Sequence, residues 1–486
     1  MHHILLLLSE HYDTIPLHYF KEGLHLDCAD CKRSLPDSFY NLSRTCSKIF
    51  LSNITYLLLF IIASIIVLTQ SEVIGAVIFV LLISAILVLC DDLIATTLPF
   101  LLLCVFVTRC YDSFDTFIKF IPIAVPALFS IFFHFIVFKR KLVIGNTFNG
   151  LIAVSISLVT GGIGYISTSD YLKPSSLFYI TFLGIAMVVF YLLFKSHIVT
   201  IKNYDIKKKL ISILYVTGFL ACVVSFYIDY LSKTGYQSEH YIWQPGNNLS
   251  TFLLFALPCP FYFARKNILH ILSAFVFYGG IILSRSRGGI LMGAILLFIC
   301  FITYAISDRK HRIIYIITLL LLISLFFVFT DNILGYFSDK SFSYFFDFDD
   351  PRIQMMKRGL KGFFEYPIFG HGLGHTGNTD IYNPVKGAME WYHMIIPQII
   401  AGLGLVGILA YGYQFYLRLK TTFNYVKSNS GKKRFAAITL FMSYVGVLLM
   451  SQVNPGLFCP LPYSLLAVMI FATIDSETKT INLKQK

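Results

Sequence analysis

Two arginines separated by one serine lie in the short polar run Ser284-Arg285-Ser286-Arg287-Gly288-Gly289, between two apolar segments. A guanidinium is a planar fork of donors that matches the paired oxygens of a phosphate or diphosphate. The adjoining glycines let a ligand or a second backbone come close. Snorkelling to lipid head groups would account for one such arginine; the doubled arginine and the glycines point to an anion site. Downstream, Asp331–Tyr392 is too polar and too long for a simple helix connection. It carries Arg352, Lys357, Arg358 and Lys361, then Tyr366-Pro-Ile-Phe-Gly-His371-Gly-Leu-Gly-His375, and it ends at His393. Imidazole titrates near neutral pH, so these histidines are candidates for proton transfer beside the bound anion. Periodicity does not choose among the three. His393 is the one fixed to a helix start, in Trp391-Tyr392-His393-Met-Ile-Ile-Pro397, and is the most rigidly positioned.

The elements that must hold these groups are membrane helices. The chain has 486 residues, 56% hydrophobic and only 13% charged, about half the charged share of a soluble domain. Apolar runs long enough to cross a bilayer recur about fourteen times, from Leu51–Thr69 to Leu461–Ile474. Backbone groups in lipid must bond within their own segment, and the alternation of a barrel is absent. The expected fold is all-α: a polytopic integral membrane protein of about 14 transmembrane helices. The expected parts are a cytoplasmic tail over 1–50, a transmembrane domain over 51–476 with an extracytoplasmic catalytic loop at 331–392, and a cytoplasmic tail over 477–486.

The net charge of +13 is orientation signal and excludes a nucleic-acid site, because of where it sits. Lys139-Arg140-Lys141, Lys207–Lys209, Arg265-Lys266, Arg309–Arg312, Lys432-Lys433-Arg434 and the tail from Lys479 occupy alternate loops. All of them then face the cytoplasm, together with both termini. Arg285–Arg287 and the loop 331–392 fall on the outer side.

Within that loop Ile353, Met356, Leu360 and Phe363/Phe364 recur at helical spacing, which predicts an amphipathic helix on the outer membrane surface. Asp349-Asp350-Pro351 starts it; Pro367 and Gly370 stop it. Lys357 and Lys361 read equally as anion ligands and as water-facing charges of a peripheral helix. Ten cysteines, mostly within spans, do not form a disulfide framework. His25, Cys28, Cys31 and Cys46 include one Cys-x-x-Cys pair, too few well-spaced ligands for zinc, so no metal is expected. The start, Met1–Ser9, has too short an apolar run for a signal peptide.

Three patches, in order, resemble the O-antigen ligase and polymerase superfamily of bacterial membrane glycosyltransferases. Leu283-Ser-Arg-Ser-Arg287-Gly-Gly-Ile-Leu resembles the family's Ser-Arg-Gly opening of a span. Arg352 followed by Pro367-Ile-Phe-Gly370-His-Gly372-Leu-Gly374 resembles its arginine, helix and Pro/Gly-rich motif. His393, with Gln398 and Ala401-Gly-Leu-Gly404-Leu-Val-Gly407, resembles its His-bearing helix start. The match covers roughly 249–416. The early spans match only as generic hydrophobic helices. Three departures stand out: Met394 follows His393 where the family often has Asn, Arg285 is a second candidate at the first arginine position, and about fourteen spans exceed the usual dozen of the ligases.

The resemblance implies a GT-C-like fold in the bacterial cytoplasmic (inner) membrane, with an extracytoplasmic active site and no cofactor. It implies an undecaprenyl-diphosphate-linked glycan as donor and a glycan or lipid-linked acceptor. By position, Arg287 and Arg352, with Arg285 as the alternative, would bind the diphosphate, and His393 would act as base. Ligase and polymerase differ only in acceptor, and no residue decides between them. A flippase for lipid-linked sugars is the rival class. It would need ionisable residues or paired broken helices near the midplane, whereas His134 is the clearest interior ionisable residue and no inverted repeat is evident.

Overall fold

A backbone that leaves water must bond within its own segment, and every one of the apolar runs read from sequence carries helix. The structure, a computed structural model, describes residues 36–107, 121–163, 177, 180–201, 203–234, 245–328, 351–373, 392, 394–454, 456–457 and 461–477. The helices are α1 (Asp37–Phe50), α2 (Asn53–Leu68), α3 (Glu72–Leu89), α4 (Ile94–Val107), α5 (Ile121–Val137) and α6 (Phe148–Thr160). A π-helical turn, Thr181–Ala186, runs into α7 (Met187–Ile198), followed by α8 (Ile206–Lys233), α9 (Pro245–Ala256), α10 (Cys259–Ala264) and α11 (Ile271–Leu283). Then come α12 (Arg287–Ser307), α13 (Arg312–Val328), α14 (Pro351–Glu365), α15 (Ile395–Ser428), α16 (Gly431–Met450) and α17 (Leu461–Ile474). No strand occurs among the described residues.

By length and hydropathy, six described helices can cross a bilayer: α3, Thr181–Ile198, α8, α12, α15 and α16. The pair α1 and α2, bent by 62°, makes a seventh if taken as one span, and several further apolar helices are shorter. This set of helices is compatible with a polytopic helical membrane protein. Polar starts appear where propensity puts them: the Ser52 and Ser286 hydroxyls accept from Thr55 N and Gly289 N, each at 3.1 Å, and Asp205 accepts from Lys208 N at 3.2 Å.

A continuous apolar core joins α2–α4, α8–α12, α16 and α17, with Leu98, Leu253, Phe261, Cys300 and Leu440 fully buried. Outward-facing Ile74, Phe129, Phe132 and Ile313 are exposed, as residues turned toward lipid would be. Within the segment read as an amino-terminal tail, Asp37–Phe50 is helical. Its Phe39 and Tyr40 pack on Phe138, and Ser47 donates to Asp91 at 3.0 Å. Cys28 and Cys31 lie outside the described residues.

Candidate active site

The turn between α11 and α12 is held by a small polar cluster. Ser284 Oγ donates to the Ile281 carbonyl at 2.6 Å and lies 2.7 Å from Ser250 Oγ. Ser286 Oγ donates to Asn247 Oδ1 at 2.6 Å while capping α12. The start of α9 comes so near that a side chain on Gly246 would strike the Ser284 carbonyl oxygen.

This turn separates the two arginines. Arg285 has φ +58°, a conformation rarely adopted outside glycine. Its guanidinium is 2.8 Å from Asp229 Oδ1, and Lys233 reaches the same carboxylate at 2.6 Å. Arg287, the first residue of α12, is exposed and forms no ion pair among the described residues.

The motif Pro367–Leu373 forms a wedge that breaks α15. At Gly404 the backbone turns to φ +61°, ψ −153°, a region essentially reserved for glycine. The amides stranded by that break find partners in the wedge: Leu405 N donates to Pro367 O at 2.8 Å and Val406 N to Ile368 O at 3.1 Å. In return His371 N donates to Ala401 O at 2.8 Å and Gly372 N to Gly402 O at 2.9 Å. Gly370, at φ +65°, has no room for a side chain, because a methyl would come within 2.5 Å of the Ala401 carbonyl oxygen. From the other side, the end of α6 closes the clasp through Gly162 N, bonded to Phe369 O at 2.8 Å.

His371 belongs to this clasp. Its ring is buried, 3.5 Å from Glu365 and with its centroid 4.6 Å from that of Tyr366. His375 and His393 lie outside the described residues, as does the side chain of Arg352.

Helix α14 covers the stretch whose periodicity predicts an amphipathic helix, but its packed face differs. Met355, Gly359 and Gly362 are the buried ridge. A methyl on Gly359 would come within 2.6 Å of Pro397 Cβ, so the glycine lets α14 press against α15. Leu360 and Phe364 are left pointing outward. Small residues win the buried face because close helix approach excludes the larger ones.

The neighbours of position 393 are firmly placed. Tyr392 is buried against Met355 and Ala401, and its N–H donates to the buried Gln398 side chain at 3.0 Å. Burial pushes the Tyr392 phenol up to about 12, which keeps it a neutral hydroxyl. Ile395 N donates to Ser451 O at 2.8 Å. The turn beginning at Ser451 also reaches Gly288, whose added Cβ would come within 2.6 Å of Val453 Cγ2. One turn therefore links the residue after Arg287 to the start of α15, where His393 is two residues upstream. Through Met355 and Tyr392 the same region reaches α14, which begins next to Arg352. The 451–454 turn was not singled out by sequence reasoning; its signal is a polar run, Ser451-Gln-Val-Asn454, closing an otherwise apolar helix.

Residues 272–412 match the family model for O-antigen ligase. That match supports membership of the O-antigen ligase and polymerase superfamily. No match is found among curated proteins or among solved structures. The matched span runs from α11 through the Arg285–Arg287 turn, the wedge and the break in α15. Members are glycosyltransferase-like enzymes of polysaccharide biosynthesis, acting on lipid-linked glycans.

Proposed function

We propose that the chain is an O-antigen ligase-like glycosyltransferase. It moves a glycan from undecaprenyl diphosphate to an acceptor hydroxyl on the outer face of the bacterial cytoplasmic membrane. The single observation that carries this reading is Arg287. It is an exposed guanidinium without an ion pair among the described residues, and it stands at the turn that packs on the segment bonded to the start of α15.

In the reaction, the acceptor oxygen attacks the anomeric carbon and a glycosidic bond forms. The bond from that carbon to the diphosphate oxygen breaks, and undecaprenyl diphosphate leaves. His393 takes the hydroxyl proton and returns it to water. Arg287 and Arg352 neutralise the charge growing on the leaving diphosphate, the part of the reaction where fixed donors are worth most. Attack opposite the leaving group inverts the anomeric centre. Arg285 holds the turn through Asp229 and keeps its neighbour in place. A polymerase would use the same groups with a lipid-linked repeat as acceptor.

The test is transfer by the purified, reconstituted protein from a lipid-diphosphate glycan to added acceptors. A new glycosidic bond that disappears in Arg287→Ala supports the reading. Passage of the donor across the bilayer with no bond formed would replace it with transport.

A further inference from the structure

A cleft opens at the other end of the helices that build the clasp. It occupies about 330 Å³ between the start of α6 and the later part of α15. Its polar lining is Asn146, Asn149, Lys420, Thr421 and Asn424, and it contains no carboxylate. Its back wall is Gly145, pressed so closely on a buried cluster that no side chain would fit. In that cluster Lys195 Nζ is 3.0 Å from Asp475 Oδ2 and Tyr191 donates to the same oxygen at 2.8 Å. The Asp475 carboxylate behind that wall is thus already paired, and Lys420 gives the described lining its positive sign.

The chemistry of that lining is specific. Each Asn amide offers a donor and an acceptor side by side, which suits hydroxyl groups. The Lys420 ammonium is a point charge suited to a phosphate. Gly150 lets α6 approach α15 until a methyl would lie 2.8 Å from Gln414 Cα, so the cleft is bounded by a tight seam on the side of the clasp. The runs Lys139–Lys141 and Lys432–Arg434 flank the two walls in sequence, which marks this end as the basic one.

We infer that the cleft between α6 and α15 binds a hydroxylated phosphate ester, a glycerophosphate head group or its soluble counterpart. The inference does not depend on the transfer reaction, and its test reads binding alone. The full chain would be reconstituted into nanodiscs of phosphatidylcholine with about one-fifth phosphatidylglycerol, and retained lipid counted by native mass spectrometry. The expected result is preferential retention of phosphatidylglycerol. Retention should fall about tenfold in Asn149→Leu, which keeps every charge, and in Lys420→Gln, with Lys433→Gln unchanged.

Asn424→Leu serves if Asn149→Leu does not insert. Displacement by free glycerol phosphate assigns the site to a soluble ester; resistance to displacement assigns it to the lipid. Equal retention by the natural protein and both leucine variants, or no preference over phosphatidylcholine, overturns the inference.

Discussion

The guanidinium of Arg285 is 2.8 Å from the carboxylate of Asp229, a residue on α8. That pairing distinguishes two arginines that look alike in sequence. Arg285 is engaged with a carboxylate and bent into a left-handed turn, while Arg287 is exposed and forms no ion pair among the described residues.

Losing the Asp229 carboxylate should loosen the turn without removing the reacting groups. Asp229→Asn is expected to lower transfer less than tenfold and to leave thermal stability nearly unchanged, since partly exposed pairs contribute little. A loss matching that of Arg287→Ala would assign the diphosphate to Arg285.

Arg287→Ala is expected to cost about 10²–10³ in the rate constant for transfer, the usual loss of one preorganised donor. Arg287→Lys keeps the charge but not the fork and should recover only part of it. Single-turnover rates on the reconstituted protein separate the two.

His393→Ala should abolish transfer at neutral pH while the protein still inserts. With His393 as base, the neutral imidazole is the active form, so activity falls as pH drops through the imidazole range. An acidic limb that persists in residual His393→Ala activity would assign the base elsewhere.

The clasp can be tested with alanine. Gly370→Ala and Gly404→Ala each put a methyl into backbone at 2.5–2.6 Å and force a positive φ, so both should unfold well below the natural protein. Gly431, at φ +55° in open space, should cost only about 1–2 kcal/mol. Gly412, helical and unobstructed, should tolerate alanine or gain up to about 1 kcal/mol. Thermal unfolding in detergent orders the four.

Gln398→Ala leaves the buried Tyr392 amide without its acceptor, at a cost of about 1–3 kcal/mol. The strain falls beside His393, so the transfer rate should drop further than donor affinity. Loss of affinity with an unchanged rate would make Gln398 a binding residue instead.

Much of this was legible in the residues. Continuous Leu, Ile and Phe runs dictate helix in lipid, and Ser286 followed by glycines announces the start of α12. The helix Pro351–Glu365 was readable from its proline and its period. Its buried face was not, because Gly359 and Gly362 carry no hydrophobic signal and matter only once Pro397 and Ala401 lie opposite. The difference in pairing between Arg285 and Arg287 depends on Asp229, distant in sequence. The Pro/Gly motif was visible, but its bonding to Ala401–Val406 is set by tertiary contact, which no local period encodes.

The break at Gly404 has a consequence for how the protein is made. A hydrophobic segment that cannot complete its own ladder is incompetent to rest in lipid alone. The carbonyls it borrows, from Pro367 and Ile368, belong to chain that leaves the ribosome earlier. The helix α15 therefore completes its ladder only by docking onto a segment synthesised before it, so order of synthesis becomes part of the architecture.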